Sequence, residues 1–297
     1  MRWRGVFPAI TTPFRPDLSV DFDFLRRHVG WLIDSGCEGI VPLGSLGEGA
    51  TLGFDEKSYV LAACREAAAG RVPVVAAIAA LSTAEAVALA REAAALGCEG
   101  LMVLPPYVYV GDGRETAAHF RAVIGATELP CMLYNNPIAY RTDVLPEGIA
   151  ELCAALPNLV AVKESSGDVR RVTAVRALLA GRIAVFIGVD DLILEGVQAG
   201  AVGWIAGLVD ALPAESVRLF ALATSGRLEE AQRLYDWFLP LLRLDTVPKF
   251  VQLIKLVQAE VGMGTTTVRP PRLDLAGAER EVALSLIRDS LRSRPAL

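Results

Sequence analysis

The chain has 297 residues, 53% of them hydrophobic, with a net charge of −5 and a mean hydropathy of +0.41. A membrane span is excluded as a reading: the least polar stretch, AGAVGWIAGLV (199–209), is half the roughly 20 residues a bilayer requires, and Asp210 closes it. No basic block marks nucleic-acid binding, and MRWRGVFPAITTPF lacks the apolar core and cleavage site of a signal peptide, so a cytoplasmic protein is expected.

Short β-branched runs alternate with helical patterns to about residue 226. The predicted strands are GVFPAIT (5–11), GIVPLG (39–44), VPVVAAIA (72–79), GLMVLPP (100–106), CMLYNN (131–136), LVAVKES (159–165), IAVFIGV (183–189) and GWIAGLV (203–209). Most are continuously apolar, as parallel strands covered on both faces are. A helical pattern follows each. In STAEAVALAREAAALG, Ser82 reads as the N-cap, Glu85 as its capping-box partner and Gly97 as the C′ residue. GCEGI (36–40) and GCEGL (97–101) each join a helix end to an apolar strand. Alternation of this kind predicts the α/β class and a (β/α)8 TIM barrel over 1–226. Residues 227–297 carry helical patterns and no strand, and read as a C-terminal appendage packed on the barrel. In TVPKFVQLIKLVQAEVG, Thr246 suits the cap, Pro248 falls in the first turn, and Val247, Phe250, Val251, Ile254 and Val257 form one apolar face.

In such a barrel the site lies at the C-terminal strand ends. Those ends carry Thr11-Thr12, Gly44-Ser45-Leu46, Pro106-Tyr107, Tyr134-Asn135-Asn136, Lys163-Glu164-Ser165, Gly188 and Ile205. Lys163 ends an apolar strand, whereas Lys57, Lys249 and Lys255 fall on helical patterns and read as solvated. Desolvation lowers a lysine's pKa, and a neutral amine attacks carbonyls to form a Schiff base. The bland alternative is a pair with Glu164. Tyr134, on the preceding strand, is placed to pass protons to a carbinolamine. GSLGEG (44–49) offers backbone amides that suit an anion but lacks the lysine of a P-loop. Asp190-Asp191 reads as the cap of the next helix. His28 and His119 lie in helical patterns, and Cys37, Cys64, Cys98, Cys131 and Cys153 form no C-x-x-C pair. No metal site is expected, and the thiols read as reduced and buried.

Lys163 in VKESSGD, Tyr134 in YNNP and the GSLGEG turn together resemble the dihydrodipicolinate synthase / N-acetylneuraminate lyase family of Schiff-base aldolases and dehydratases. The resemblance runs from GVFPAITTPF to VRPPRLDL. It implies a (β/α)8 barrel with C-terminal helices, a homotetramer built as a dimer of dimers, and no cofactor or metal. Carried over by motif, Lys163 is the Schiff-base lysine and Tyr134 the proton donor and acceptor. Ser45 stands for the relay threonine of a G-T-T-G-E turn, and Tyr107 for a tyrosine that a neighbouring subunit inserts. The Ser45 and Leu46 amides would hold the carboxylate of a 2-oxo acid, and Gly188 and Ile205 would line the pocket.

The departures point to a branch. The second relay hydroxyl is replaced by Leu46. The arginine that synthases of the family carry two residues after the proline of Y-N-x-P is Ala139, with Arg141 two positions further on. SLGEGATL, LPPYVY, YNNPIAY and LLRLDTVPKFVQLIKL are more similar to the branch that deaminates 1-pyrroline-4-hydroxy-2-carboxylate to 2-oxoglutarate semialdehyde and ammonia in hydroxyproline degradation. The alternatives are 4-hydroxy-tetrahydrodipicolinate synthase or another 2-oxo acid aldolase or dehydratase, and, more remotely, a non-catalytic regulator that binds a small molecule.

Overall fold

The computed structural model describes residues 1–296. Its sheet is parallel throughout: β1 (Gly5–Pro8), β2 (Val75–Ile78), β3 (Gly100–Val103), β4 (Cys131–Asn135), β5 (Leu159–Glu164), β6 (Ala184–Ile187) and β7 (Gly203–Ala206), in the order β1-β7-β6-β5-β4-β3-β2. Nearly every strand residue is buried, which accounts for their unbroken apolar runs.

The expected eighth strand, 39–44, is a stave without a full ladder. Val41 N–H donates to Pro8 (2.8 Å) and Ile10 N–H to Val41 (3.1 Å); on the other side Val75 N–H donates to Ile40 (2.9 Å) and Ala77 N–H to Pro42 (3.0 Å). These bonds join β1 to β2 and close the (β/α)8 barrel. The stave is short because Pro42 has no N–H to give and Leu43 turns left-handed at φ 68°.

Helices α1 (Phe22–Asp34), α2 (Phe54–Ala68), α3 (Thr83–Ala95), α4 (Gly113–Ile124), α5 (Pro137–Tyr140), α6 (Pro146–Ala155), α7 (Arg170–Leu179), α8 (Ile193–Gln198) and α9 (Pro213–Thr224) fill the crossovers. Helix α3 has the expected ends: Ser82 and Glu85 form a capping box, and Gly97 follows at φ 78°. All five cysteines are buried and free. No helix of the described residues is long and apolar enough to cross a membrane.

The tail folds as α10 (Leu228–Leu242), α11 (Phe250–Glu260) and α12 (Gly277–Arg292). Four expectations are corrected here. Helix α11 starts at Phe250, and Thr246 does not cap it; its hydroxyl donates back to the Arg243 carbonyl (3.0 Å), because 243–245 forms a separate 3₁₀ turn. Pro248 accordingly lies before the first turn and not in it, and Val247 leaves the apolar face and is exposed, while Val251, Ile254 and Val257 are buried as read. Lys255 is not solvated but 2% exposed, ion-paired to Glu48 at 2.6 Å. Its helix lies against the mouth of the barrel, and Nζ also donates to the carbonyls of Thr12 (2.9 Å) and Thr267 (2.8 Å).

Candidate active site

A cavity of about 500 Å³ opens at the C-terminal ends of the strands. Strand β5 delivers Lys163 and, two residues on, Ser165 into it, while the pleat turns Glu164 away. Glu164 accepts from Asn135 Nδ2 (3.1 Å) and Ser166 N–H (2.6 Å), so it is not the partner of Lys163. Lys163 is 6% exposed and forms no ion pair among the described residues. Burial pushes its pKa down to about 8, with Asp245 and Asp190 acting in the opposite sense.

The register pairs Lys163 with Tyr134 across β4 and β5, and Nζ stands 4.0 Å from the centre of the phenol ring. The Tyr134 hydroxyl accepts from Asn136 Nδ2 (2.9 Å), and burial raises its pKa to about 12, so it holds its proton until a reaction draws on it. Gly188, beside β5, must be glycine: a Cβ there would overlap Ser165 Oγ and Lys163 Cε.

The 44–49 turn supplies a different surface. The amides of Ser45, Leu46 and Gly47 donate to no protein acceptor among the described residues, while Thr12 Oγ1 holds the Gly47 carbonyl (2.6 Å). Such free amides suit a carboxylate. The turn is braced from beneath. Buried Glu48, itself left-handed at φ 53°, takes Lys255 on Oε1 (2.6 Å) and the Arg269 amide on Oε2 (3.0 Å), with Arg272 3.8 Å away. Arg269 in turn makes a two-pronged pair with Glu56 (2.6 and 2.8 Å).

Ser45, Leu46, Tyr107, Tyr134, Lys163, Gly188 and Ile205, all expected from sequence, line this one cavity. The Tyr107 ring lies in its own chain's cavity, edge-on to Tyr140 with centroids 5.2 Å apart. The loop turns the next residues outward, led by Val108, left-handed at φ 70° and 91% exposed. Among the lining residues given no role from sequence are Tyr140, Asp245 and Arg272. Tyr140 hydrogen-bonds Ser45 through its hydroxyl and meets Tyr134 edge-on (5.7 Å). Asp245 and Arg272 enter from the tail. None of the three carried a signal in the sequence: Asp245 follows Arg243-Leu244 in a helical pattern and ends no unbroken apolar run.

Two expected groups serve the frame instead. Asp190 does not cap α8. Its Oδ1 accepts from Trp204 Nε1 (2.9 Å) and its Oδ2 from Leu208 N–H (2.8 Å), tying the end of β6 to β7. Thr11 anchors α11 through Gln258 (3.0 Å). Among the described residues no group of three His, Cys, Asp or Glu is placed to hold a metal ion.

A desolvated lysine beside a phenol, at the strand-end mouth of a (β/α)8 barrel and facing an anion-binding turn, is the construction of a Schiff-base-forming lyase. The model of the dihydrodipicolinate synthetase family matches residues 2–289, and the chain belongs to that family. It is 36% identical over 273 residues to the 4-hydroxy-tetrahydrodipicolinate synthase of Methanothrix thermoacetophila, covering 91% of this chain and 90% of that protein. Against the enzyme of the same name from Rhizobium meliloti the identity is 34%, covering 91% and 92%. Among solved structures, a putative dihydrodipicolinate synthetase from Pseudomonas aeruginosa superposes with a TM-score of 0.92 at 33% identity, covering 97% of this chain and 100% of that one. The synthase of Methylacidiphilum fumariolicum superposes with a TM-score of 0.93 at 28% identity, covering 99% and 98%.

Proposed function

We propose that the protein deaminates 1-pyrroline-4-hydroxy-2-carboxylate to 2-oxoglutarate semialdehyde and ammonia, in hydroxyproline degradation. One observation carries the reading. Ala139 lines the cavity where the family resemblance places the synthases' arginine, and Arg141 is exposed, left-handed at φ 60°, and outside the lining. A second substrate carboxylate therefore meets no guanidinium at this edge. A missing charge-assisted contact is worth about 1.5–3 kcal/mol. The cyclic imine has one carboxylate, which the Ser45 and Leu46 amides can take alone.

The chemistry follows from the geometry. Neutral Lys163 adds to C2 of the ring, the C2–N bond opens, and the nitrogen leaves C2 as a primary amine. The protonated imine on Nζ then acidifies C3–H. Loss of that proton expels the 4-hydroxyl as water, with Tyr134 carrying protons on the β4 side. The C3=C4 alkene this leaves then isomerises: protons leave C5 and its nitrogen as protons return to C3 and C4, which turns the allylic amine into an imine at C5. One water hydrolyses that imine to the aldehyde and ammonia, and a second hydrolyses the imine on Nζ and frees Lys163. The imine is the electron sink, so the steps call on no metal or redox cofactor. Gly188 and Ile205 bound the space beside Nζ.

A second reading is 4-hydroxy-tetrahydrodipicolinate synthase. The relatives carry that name, and Arg272 is a cation in the cavity wall, although it faces Glu48 at 3.8 Å. Side-by-side kinetics separate the two. The account expects kcat/KM for ammonia release from the pyrroline to exceed that for pyruvate with aspartate semialdehyde by at least about 100-fold. The reverse order assigns the synthase. We further infer a homotetramer of paired dimers, supported by the family resemblance and by the outward apolar tip Val108–Val110.

A further inference from the structure

The steps above leave one acid of the cavity wall unused. Asp245 ends the 3₁₀ turn before α11 and lays its carboxyl over Gly207, just past β7; a Cβ on Gly207 would overlap it. Its Oδ1 is buried with no hydrogen-bond partner, and neither oxygen pairs with a cation among the described residues. The neighbouring carboxyls are committed. Asp190 accepts from Trp204 and the Gly207 and Leu208 amides, Glu48 from Lys255 and Arg269, and Glu164 from Asn135 and Ser166. Asp210, whose Oδ2 accepts from the Thr11 amide (2.8 Å), lies outside the cavity lining, so Asp245 is the carboxyl of the lining left free to meet a ligand.

Its placement matters for the ring. Lys163 projects from β5 with the Tyr134 phenol on the β4 side and the Asp245 carboxyl on the β7 side, and bare Gly188 between. A cyclic imine carbon held at Nζ, with its carboxylate toward the 44–49 turn, has two further ring neighbours, nitrogen and C3. The phenol suits the carbon acid, and the carboxyl suits the basic nitrogen.

Resting on the deaminase reading, we propose that Asp245 is the general acid of ring opening. The Nζ–C2 bond has formed, and the electron pair of C2–N passes to the ring nitrogen. The Asp245 carboxyl gives that nitrogen its proton as the Nζ lone pair closes the C2=N double bond. The products are a primary amine, a protonated imine on Lys163 and an Asp245 carboxylate, so charge and protons balance. Burial, with Asp190 and Asp210 nearby, holds Asp245 well above the usual carboxylate range, against the pull of Lys163, which favours the acid form. The groups facing Lys163 are Tyr134 from β4, Asp190 from the segment after β6, and Asp245.

The test is Asp245→Asn, with Asp245→Ala and Asp245→Glu beside it, assayed for ammonia release from the pyrroline. A general acid contributes about 10²–10⁴-fold, so kcat of Asp245→Asn should fall at least about 100-fold with KM within about threefold. The wild-type profile should decline on its alkaline side as the acid is lost, and Asp245→Asn should lack that limb. Asp245→Glu should keep part of the rate, and added formate should raise Asp245→Ala at least about tenfold by replacing the acid. Borohydride trapping of pyruvate on Lys163 reports an assembled site in each variant. The proposal is overturned if Asp245→Asn stays within about threefold of wild type, or keeps the alkaline limb while formate fails to rescue Asp245→Ala. If the wild-type enzyme releases no ammonia, the deaminase reading itself fails and the proposal falls with it.

Discussion

Lys163 shows how burial overrides the ordinary chemistry of a side chain. An amine attacks only in its neutral form, and at its ordinary pKa of 10.5 a lysine is almost wholly protonated at neutral pH. At about 8, roughly a tenth is neutral at pH 7, against less than one part in a thousand without the shift. The acid limb of kcat/KM should therefore lie near pH 8, activity rising with pH below it because deprotonation creates the nucleophile. Tyr134→Phe should lower kcat by about 10²–10⁴-fold and leave that limb in place, since desolvation rather than the phenol hydroxyl sets it. A limb that moves with Tyr134→Phe would show that the two titrate as a unit. Lys163 was legible because an apolar run ending in lysine has few bland explanations. The Glu164 pairing fell to the pleat, which sends adjacent side chains to opposite faces. Asp245 and Arg272 were not legible as site residues, because the tail's route over the barrel mouth is a long-range fact.

The tail helices do more at element scale than cover the barrel. Helix α11 brings Lys255 under the 44–49 turn, and the segment after it brings Arg269 and Arg272. The guanidinium of Arg269 and the ammonium of Lys255 also lie against the Phe14 ring, at 4.6 and 4.5 Å. Removing one partner of a buried pair strands the other, at about 3–5 kcal/mol. Lys255→Met should therefore destabilise the fold by about that amount in denaturant titration, whereas Lys255→Met with Glu48→Gln should cost less. Equal losses for the single and double variants would mean that the pair is not coupled. Lys255 was misread as solvated because its periodicity describes a helix and not what lies against it. The Thr246 cap failed for a local reason: a 3₁₀ turn took the hydroxyl that the helix end would have used. Helix α3, whose signals all fall within one segment, was read correctly at both ends.

At the scale of the whole molecule, alternation of apolar runs and helical patterns was enough to predict the barrel, because parallel strands buried on both faces leave that trace. It overran the ends of every strand, by one to four residues, and overstated the second stave most, where Pro42 and a left-handed Leu43 interrupt the ladder. Assembly lies beyond a single chain. If the protein is a homotetramer, sedimentation at assay concentrations should give one species of four chains, and Val108→Asp should shift it to smaller ones; full activity in a monomer would refute the inference. The central claim is that Lys163 attacks C2 of the cyclic imine and expels its nitrogen. The most direct measurement is borohydride trapping during turnover of 1-pyrroline-4-hydroxy-2-carboxylate, read by peptide mass spectrometry with ammonia followed in parallel. The account predicts a covalent adduct confined to the peptide bearing Lys163, with loss of activity in step with labelling, and neither adduct nor ammonia with Lys163→Ala. Ammonia release without an adduct, or labelling that persists in Lys163→Ala, would contradict it.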